Sequence, residues 1–105
     1  MRKYRNIPVE IDGVKFASKA EAARFMELKM LKRAGEITGI IECHPRWDLI
    51  VNGHRIGRYT ADFCYLGKNG ERVVEDVKST PTKTTAYVLR KKLMKAIHGI
   101  EVQEV

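Results

Sequence analysis

Two aspartates interrupt the segments of this sequence that are most typical of buried β-strands. Asp62 lies within YTADFCYL and Asp76 lies within VVEDVK. Both segments are rich in β-branched and aromatic residues, which favour strands. A buried carboxylate is costly unless it is paired with a cation or bound to a metal ion. Any fold of this chain must therefore supply a partner for each of these two side chains.

The loop between the two segments predicts that the aspartates meet. Residues 68–70 have the length of a three-residue hairpin connection, with Gly70 in its left-handed position. Counting back along both strands places Asp62 opposite Asp76, with Cβ atoms about 5 Å apart. A four-residue loop would instead pair Asp62 with Glu75. Like charges so close destabilise a sheet, so the first pairing favours a divalent cation between them.

Lys78 lies two residues beyond Asp76, so a strand would point both side chains to one face and Glu75 to the other. Two carboxylates and one ammonium group on a face suit a Mg²⁺ ion, an oriented water and the charge of a phosphate. An Asp-x-Lys pair also fits a surface ion pair on an edge strand. The pattern alone leaves both interpretations open.

The order of elements predicts an α+β fold in which helices cover a mixed sheet. IPVEI and VKF flank Asp12-Gly13 as a short hairpin, and Ser18 begins a helix over 19–34 that stops at Gly35. A second helix, TTAYVLRKKLMKAIH, carries apolar residues at helical spacing and is followed by a last strand, IEVQEV. Between the helices we predict three strands: ITGIIEC with WDLIV, then HRIGRYTADFCYL, then ERVVEDVK.

The net charge of +7, from 20 Lys and Arg against 13 Asp and Glu, suits a partner with many phosphates. An acidic protein surface or an anionic membrane would also fit. Residues 36–78 hold six basic and seven acidic residues, whereas both flanking segments are basic. This distribution suggests a cation site flanked by an anion-binding surface.

No apolar run approaches the roughly 20 residues that span a bilayer, and the N-terminal sequence lacks the apolar segment of a signal peptide. We therefore expect a soluble, cytoplasmic protein with no membrane partner, folded as one domain over 1–105. Cys43 and Cys64 are expected to be reduced thiols. A zinc site formed by them with His44 and His54 lacks the usual ligand spacing.

Three motifs, FASKAEAARFMEL, YTADF and VVEDVK followed by a basic helix, resemble the PD-(D/E)XK nuclease superfamily in order and spacing. Within it the chain is similar to small phage-type Holliday junction resolvases and related phage endonucleases. Asp62 matches the aspartate of the first element, and Asp76 and Lys78 match the acid and lysine of the second. Glu21 matches the helix glutamate. Ala61 departs from the pattern because it stands where proline is usual.

The resemblance implies an αβββαβ core over 18–105, preceded by an arm and hairpin over 1–17. It also implies Mg²⁺-dependent DNA cleavage, in which Mn²⁺ substitutes, by a homodimer active in DNA recombination, in the host cytoplasm if the protein is phage-encoded. The implied catalytic residues are Glu21, Asp62, Asp76 and Lys78, and the implied metal ligands are Glu21, Asp62, Asp76 and Val77. Ser18-x-x-Glu21 is also a complete capping box, so Glu21 has a structural alternative.

Basic and hydroxyl side chains near both ends are predicted to contact DNA phosphates: Arg2, Lys3, Arg5, Lys19, Lys83, Thr84, Arg90 and Lys91. The sequence has no helix-turn-helix or zinc-finger motif, so we expect recognition of DNA shape, with branched or four-way DNA as the substrate. The alternatives are a nicking, mismatch or restriction-like enzyme, a non-catalytic DNA-binding protein of the same fold, and a basic protein-interaction module.

Overall fold

Helix caps and tight turns divide the chain into its secondary-structure elements. The computed structural model describes residues 7–77 and 84–105. Within these ranges the elements are β1 (Val9–Ile11), β2 (Val14–Phe16), α1 (Lys19–Arg33), β3 (Ile37–Cys43), β4 (Arg46–Val51), β5 (His54–Thr60), β6 (Phe63–Gly67), β7 (Arg72–Asp76), α2 (Thr85–His98) and β8 (Gln103–Glu104).

The predicted N-terminal hairpin and both predicted helices are confirmed. Asp12 and Gly13 have φ values of +53° and +79°, the left-handed pair that a two-residue type I′ hairpin requires, and they join β1 to β2. Ser18 caps α1. Gly99 ends α2 with a φ of +69°, a left-handed conformation that glycine adopts without steric cost.

The central sheet is mixed, which confirms the predicted α+β class. Its strand order is β3-β6-β7-β8, and β3 with β6 and β6 with β7 are antiparallel pairs. The short β8 lies parallel to β7, and α2 forms the crossover between them. In the described part of the chain, neither helix is long and apolar enough to cross a membrane.

The predicted register of the β6–β7 hairpin is confirmed. Gly70 has a φ of +83°, and the Gly67 N–H donates to the Glu71 carbonyl at 2.8 Å across the three-residue loop. The paired residues run from Leu66 opposite Arg72 to Phe63 opposite Glu75. One further step along this ladder sets Asp62 against Asp76, so the four-residue alternative is wrong.

The prediction of three strands between the helices is wrong, because residues 37–76 form five strands in two sheets. ITGIIEC and RWDLIV separate at His44, whose φ of +57° turns the chain before Pro45. The predicted strand HRIGRYTADFCYL is interrupted at residues 61–62. There the Ala61 N–H donates to the Pro45 carbonyl, and the His44 N–H donates to the Asp62 carbonyl. As a result β4 and β5 pair with each other in a separate hairpin.

Two apolar clusters sandwich the sheet. On one face, Phe16 of the N-terminal hairpin and Phe25 and Leu28 of α1 pack against Phe63 of β6. On the other face, side chains of the β4–β5 hairpin and of α2 pack against the sheet, with Met94 fully buried. This arrangement gives three layers. Successive side chains along β6 and β7 point alternately into the two clusters.

The predicted amphipathic pattern of α2 holds only in its C-terminal half. Met94 is buried, and Tyr87, Leu93 and Ile97 are partly buried against the core. Leu89 is 55% exposed, because the buried line of this helix runs through Tyr87 and Met94 instead. Cys43 and Cys64 are free thiols, as predicted from the sequence, and burial raises the pKa of both.

An ion pair between partly buried Arg24 and buried Glu75 joins α1 to β7. Glu75 is only 2% exposed, and Arg24 of α1 donates to its two carboxylate oxygens from Nε at 3.0 Å and from Nη2 at 2.7 Å. The hydroxyl of Tyr65 also donates to this carboxylate, and burial raises the pKa of Tyr65 to about 12. The predicted orientation of Glu75, away from the face of Asp76, is therefore confirmed.

Replacing Arg24 with methionine should lower the free energy of unfolding by about 3–5 kcal/mol, because it leaves the Glu75 carboxylate buried without its cation. The double variant Arg24→Met/Glu75→Gln should recover much of this loss. Urea denaturation measures both effects. Lys95→Met, which breaks an exposed pair with Glu101, is the control and should change stability by less than about 1 kcal/mol. Equal effects of Arg24→Met and Lys95→Met would contradict the role of the pair.

Candidate metal centre

Glu21 reaches the site from the first turn of α1. Ser18 Oγ accepts a hydrogen bond from the Glu21 N–H at 3.2 Å, so the serine half of the predicted capping box is formed. The Glu21 side chain does not return to the Ser18 N–H in the described part of the chain. Instead its carboxylate faces the imidazole of His44, with Oε1 3.6 Å from Nε2. The helix is therefore capped without the carboxylate.

Asp62 and Asp76 are locked together by reciprocal hydrogen bonds at the end of the β6–β7 ladder. The Asp62 N–H donates to Asp76 Oδ1 at 3.1 Å, and the Val77 N–H donates to Asp62 Oδ2 at 2.7 Å. The Tyr59 hydroxyl donates to Asp76 Oδ2. These bonds fix the orientation of both carboxylates at the end of the ladder.

Burial distinguishes the carboxylates at this site. Asp76 is 4% exposed and Glu21 is 9% exposed, whereas Asp62 is only partly buried. Burial and the hydrogen bond to Asp76 raise the pKa of Tyr59 far above its usual value, so this hydroxyl remains a donor. The sheet thus presents one deeply held carboxylate with a more accessible one beside it.

His44 joins this group from the end of β3. One ligand atom of each of Glu21, His44 and Asp62 lies within 4.8 Å of the other two. The turn at His44 is fixed by the bond from its N–H to the Asp62 carbonyl at 2.9 Å. Two carboxylates and an imidazole are a common ligand set for divalent metal ions.

A cavity of about 360 Å³ opens beside Glu21 and Asp62 and is lined by both acidic and basic residues. The carboxylates of Glu21, Asp62 and Asp76 line it together with Val77. Among the residues that the structure describes, its other lining residues belong to β5 and to the start of α2: Arg58, Tyr59, Thr60, Thr84, Tyr87 and Arg90. Carboxylates and guanidinium groups therefore line one cavity, as binding of a metal ion and a phosphate would require.

The structure brings together the predicted metal ligands Glu21, Asp62, Asp76 and Val77 at one cavity. Of the predicted DNA contacts, Thr84 and Arg90 line the same cavity, and Lys19 is exposed at the start of α1. Lys91 contacts the Glu104 carboxylate at 3.3 Å. The other predicted residues lie outside the described residues: Lys78, Arg2, Lys3, Arg5 and Lys83.

Sequence reasoning missed His44, Tyr59 and Arg58 as residues of this site. His44 entered the sequence analysis only in the rejected zinc site with cysteines, because its neighbours in the chain carry no ligand spacing. In a continuous strand, Tyr59 and Asp62 would point to opposite faces, because they are three residues apart. The pattern therefore did not predict that they share a site. Thr60 and Asp62 are two residues apart, as two residues on one face of a continuous strand would be. The sequence pattern therefore did not predict the break between them.

Comparison with known proteins places the chain in a family. The family described as "Protein of unknown function (DUF1064)" matches residues 1–103. The chain belongs to this DUF1064 family. No curated protein and no solved structure gives a significant match. Because the DUF1064 match covers nearly the whole chain, it includes every residue of the cavity.

Two substitutions separate the cap of α1 from the cavity of this DUF1064 protein. Ser18→Ala should lower the free energy of unfolding by about 1 kcal/mol, because it removes the hydroxyl that accepts from the first turn. Glu21→Gln should change it by less than about 0.5 kcal/mol in metal-free protein, because the carboxylate takes no part in the cap. Chemical denaturation in the presence of a chelator measures both. A larger loss in Glu21→Gln than in Ser18→Ala would instead assign the carboxylate a capping role.

Proposed function

We propose that this protein is a Mg²⁺-dependent DNA endonuclease that acts in the cytoplasm. The observation that carries the proposal is the convergence of Glu21, Asp62 and Asp76 on one cavity that Arg58 and Arg90 also line. These five residues come from α1, β5, α2 and the end of the β6–β7 ladder at which Asp62 and Asp76 face each other. Carboxylates gathered beside guanidinium groups suit a metal ion and the phosphate it would act on.

The residues present fit a hard divalent cation. Carboxylate oxygens are the ligands that Mg²⁺ and Mn²⁺ prefer, and the two aspartates are held in place by backbone N–H groups and by Tyr59. Glu21, Asp62 and Asp76 would hold the ion, with Val77 beside them. When bound, such an ion polarises a phosphoryl oxygen and lowers the pKa of a water molecule.

The surrounding side chains have distinct tasks in this proposal. Arg58 and Arg90 bind the phosphates on either side of the scissile bond, because a guanidinium group donates in a planar fork that matches phosphate oxygens. Tyr59 keeps the Asp76 carboxylate oriented. Lys78, two residues beyond Asp76, is proposed to stabilise the charge that develops on the phosphate.

The topology supports the resemblance to the PD-(D/E)XK nuclease superfamily. The series α1, β3, β6, β7, α2, β8 is an αβββαβ order built on one mixed sheet. Relative to that order, the β4–β5 hairpin is an insertion between the first and second strands. Asp62 precedes β6 and Asp76 ends β7, and this placement supports matching them to the two acids of the superfamily motif.

The proposed substrate is branched DNA, and more specifically a four-way junction. The proposed enzyme is a homodimer. Resolving a junction takes two cuts, and two-fold symmetry supplies a second cavity. The β4–β5 hairpin offers a surface for pairing, because Ile50, Val51 and Ile56 are 47%, 39% and 57% exposed. Exposed apolar side chains on a hairpin are available for a protein–protein contact.

Asp62→Asn and Asp76→Asn should each lower the DNA cleavage rate by about a thousandfold, because a lost metal ligand removes several kcal/mol of transition-state stabilisation. Lys78→Ala should lower it by about a hundredfold while metal binding remains. Single-turnover cleavage with Mg²⁺ measures the rates, and gel shift in Ca²⁺ measures DNA binding, which should persist.

Asp12→Asn is the matched control, because Asp12 is an exposed carboxylate in a hairpin turn where Asn-Gly is equally favoured. It should cut at the wild-type rate. Full activity in Asp62→Asn or Asp76→Asn would refute the site. Absence of cleavage by the wild-type protein on linear, nicked, flapped and four-way DNA, with binding retained, would favour the non-catalytic DNA-binding alternative.

Light scattering at micromolar concentration should give the mass of a dimer, and a four-way junction should be cut in paired strands. The double variant Ile50→Thr/Ile56→Thr, which keeps strand propensity and removes apolar surface, should shift the mass toward a monomer. Met30→Gln, at an exposed methionine of α1, is the control and should remain a dimer. A wild-type monomer that cuts one strand per encounter would favour the nicking enzyme over the resolvase.

A further inference from the structure

We infer that His44 is a metal ligand, and that with Glu21 and Asp62 it forms a mixed nitrogen and oxygen site selective for divalent first-row transition ions over Mg²⁺. The inference rests on the proposed function in that it shares Glu21 and Asp62 with the proposed catalytic cavity. It adds a nitrogen ligand that neither the sequence motifs nor the family description assigns.

The spacing of the three side chains is the first support. Ligand nitrogen and oxygen atoms lie about 2.0–2.2 Å from a transition ion, so two atoms bound to one ion are at most about 4.4 Å apart. The three candidate atoms lie within 4.8 Å of one another. Because neighbouring ligand atoms on one ion lie roughly 3.0–3.5 Å apart, side-chain rotations that shorten these separations by at most about 2 Å would bring all three atoms into one coordination sphere.

The geometry between His44 and Glu21 is the second support. His44 Nε2 and Glu21 Oε1 are 3.6 Å apart, which is longer than a hydrogen bond and close to the separation of neighbouring ligands on one ion. Glu21 is only 9% exposed, so its carboxylate has lost most of its contact with water. A bound cation would compensate for this lost hydration. His44 keeps 38% of its side chain exposed and remains accessible to an incoming ion.

The backbone holds His44 in this position. Its φ of +57° is uncommon outside glycine and asparagine, and its N–H donates to the Asp62 carbonyl at 2.9 Å. On one side the ring lies against Phe16, with centroids 5.8 Å apart. The ligand residues His44 and Asp62 are thus connected through the main chain, as is common for a preorganised site.

The ligand types determine the selectivity. Imidazole is a poor ligand for Mg²⁺ and a good one for transition ions, whose affinities rise from Mn²⁺ toward Cu²⁺. Mg²⁺ would be held by the carboxylates alone, and a transition ion would gain the nitrogen of His44. The site should therefore bind Mn²⁺ and Co²⁺ at least about tenfold more tightly than Mg²⁺.

Pulsed EPR of Mn²⁺ bound to the full chain tests the inference, because directly coordinated imidazole nitrogen modulates the electron spin echo. The wild-type protein should show this modulation. His44→Asn should lose it and should bind Mn²⁺ at least about tenfold more weakly by calorimetry, with Mg²⁺ affinity changed less than about threefold. Asparagine is chosen because it tolerates the left-handed backbone at this position.

His54→Asn is the matched control, because His54 is an exposed histidine at the start of β5. It should keep both the nitrogen modulation and the affinity of the wild-type protein. Circular dichroism melting should be the same for all three proteins. If His44→Asn fails to fold, substitution of ¹⁵N-labelled histidine into the wild-type protein must change the modulation pattern in the predicted way, so the test does not depend on the variant.

Three results would overturn the inference: no binding of Mn²⁺, bound Mn²⁺ without nitrogen modulation in the wild-type protein, or modulation that persists in His44→Asn. Bound Mn²⁺ without modulation would leave the proximity of His44 and Glu21 as a structural contact only. Failure of the proposed function has a different signature. A protein that shows the modulation but cuts no DNA would support the His44 metal site and contradict the nuclease function. Mg²⁺-dependent cleavage without the modulation would support the nuclease function and contradict the His44 metal site.

Discussion

The reciprocal hydrogen bonds between Asp62 and the end of β7 are the interaction on which the candidate site depends. The Asp62 N–H donates to the Asp76 carboxylate, and the Val77 N–H donates to the Asp62 carboxylate. Each aspartate is thereby fixed by the main chain of the other strand. Because two carboxylates repel each other when they lie this close, donors on both sides offset part of the repulsion. Only the three-residue loop gives the register in which these donors and acceptors meet.

Adjacent acids on β7 serve opposite purposes because a strand alternates its faces. Glu75 points toward α1, where the guanidinium group of Arg24 neutralises it in an ion pair. Asp76 points to the other face, where its described donors are the Tyr59 hydroxyl and the Asp62 N–H. The first acid joins two layers of the fold. The second sits at the wall of a cavity, where hydrogen bonds hold it and a metal ion fits.

The β4–β5 hairpin contributes to both the core and the cavity. Leu49 and Tyr59 lie within the apolar cluster that covers the second face of the sheet. Arg58 and Thr60, on the same strand as Tyr59, line the cavity. A hairpin inserted between two strands of the sheet therefore brings cationic and hydroxyl groups to the carboxylates without a separate domain.

The sequence by itself determined the elements whose causes are local. Turn residues, caps and periodicity predicted the N-terminal hairpin, both helices and the opposition of Asp62 and Asp76, because each follows from a few neighbouring residues. Only the tertiary structure decided where the strands between the helices break and what joins the aspartates. The left-handed turn at His44 is stabilised by a bond to the Asp62 carbonyl, a residue 18 positions away. Through that break Tyr59 and Arg58 reach the cavity and His44 reaches Glu21 and Asp62. No local pattern encodes a contact made between distant segments.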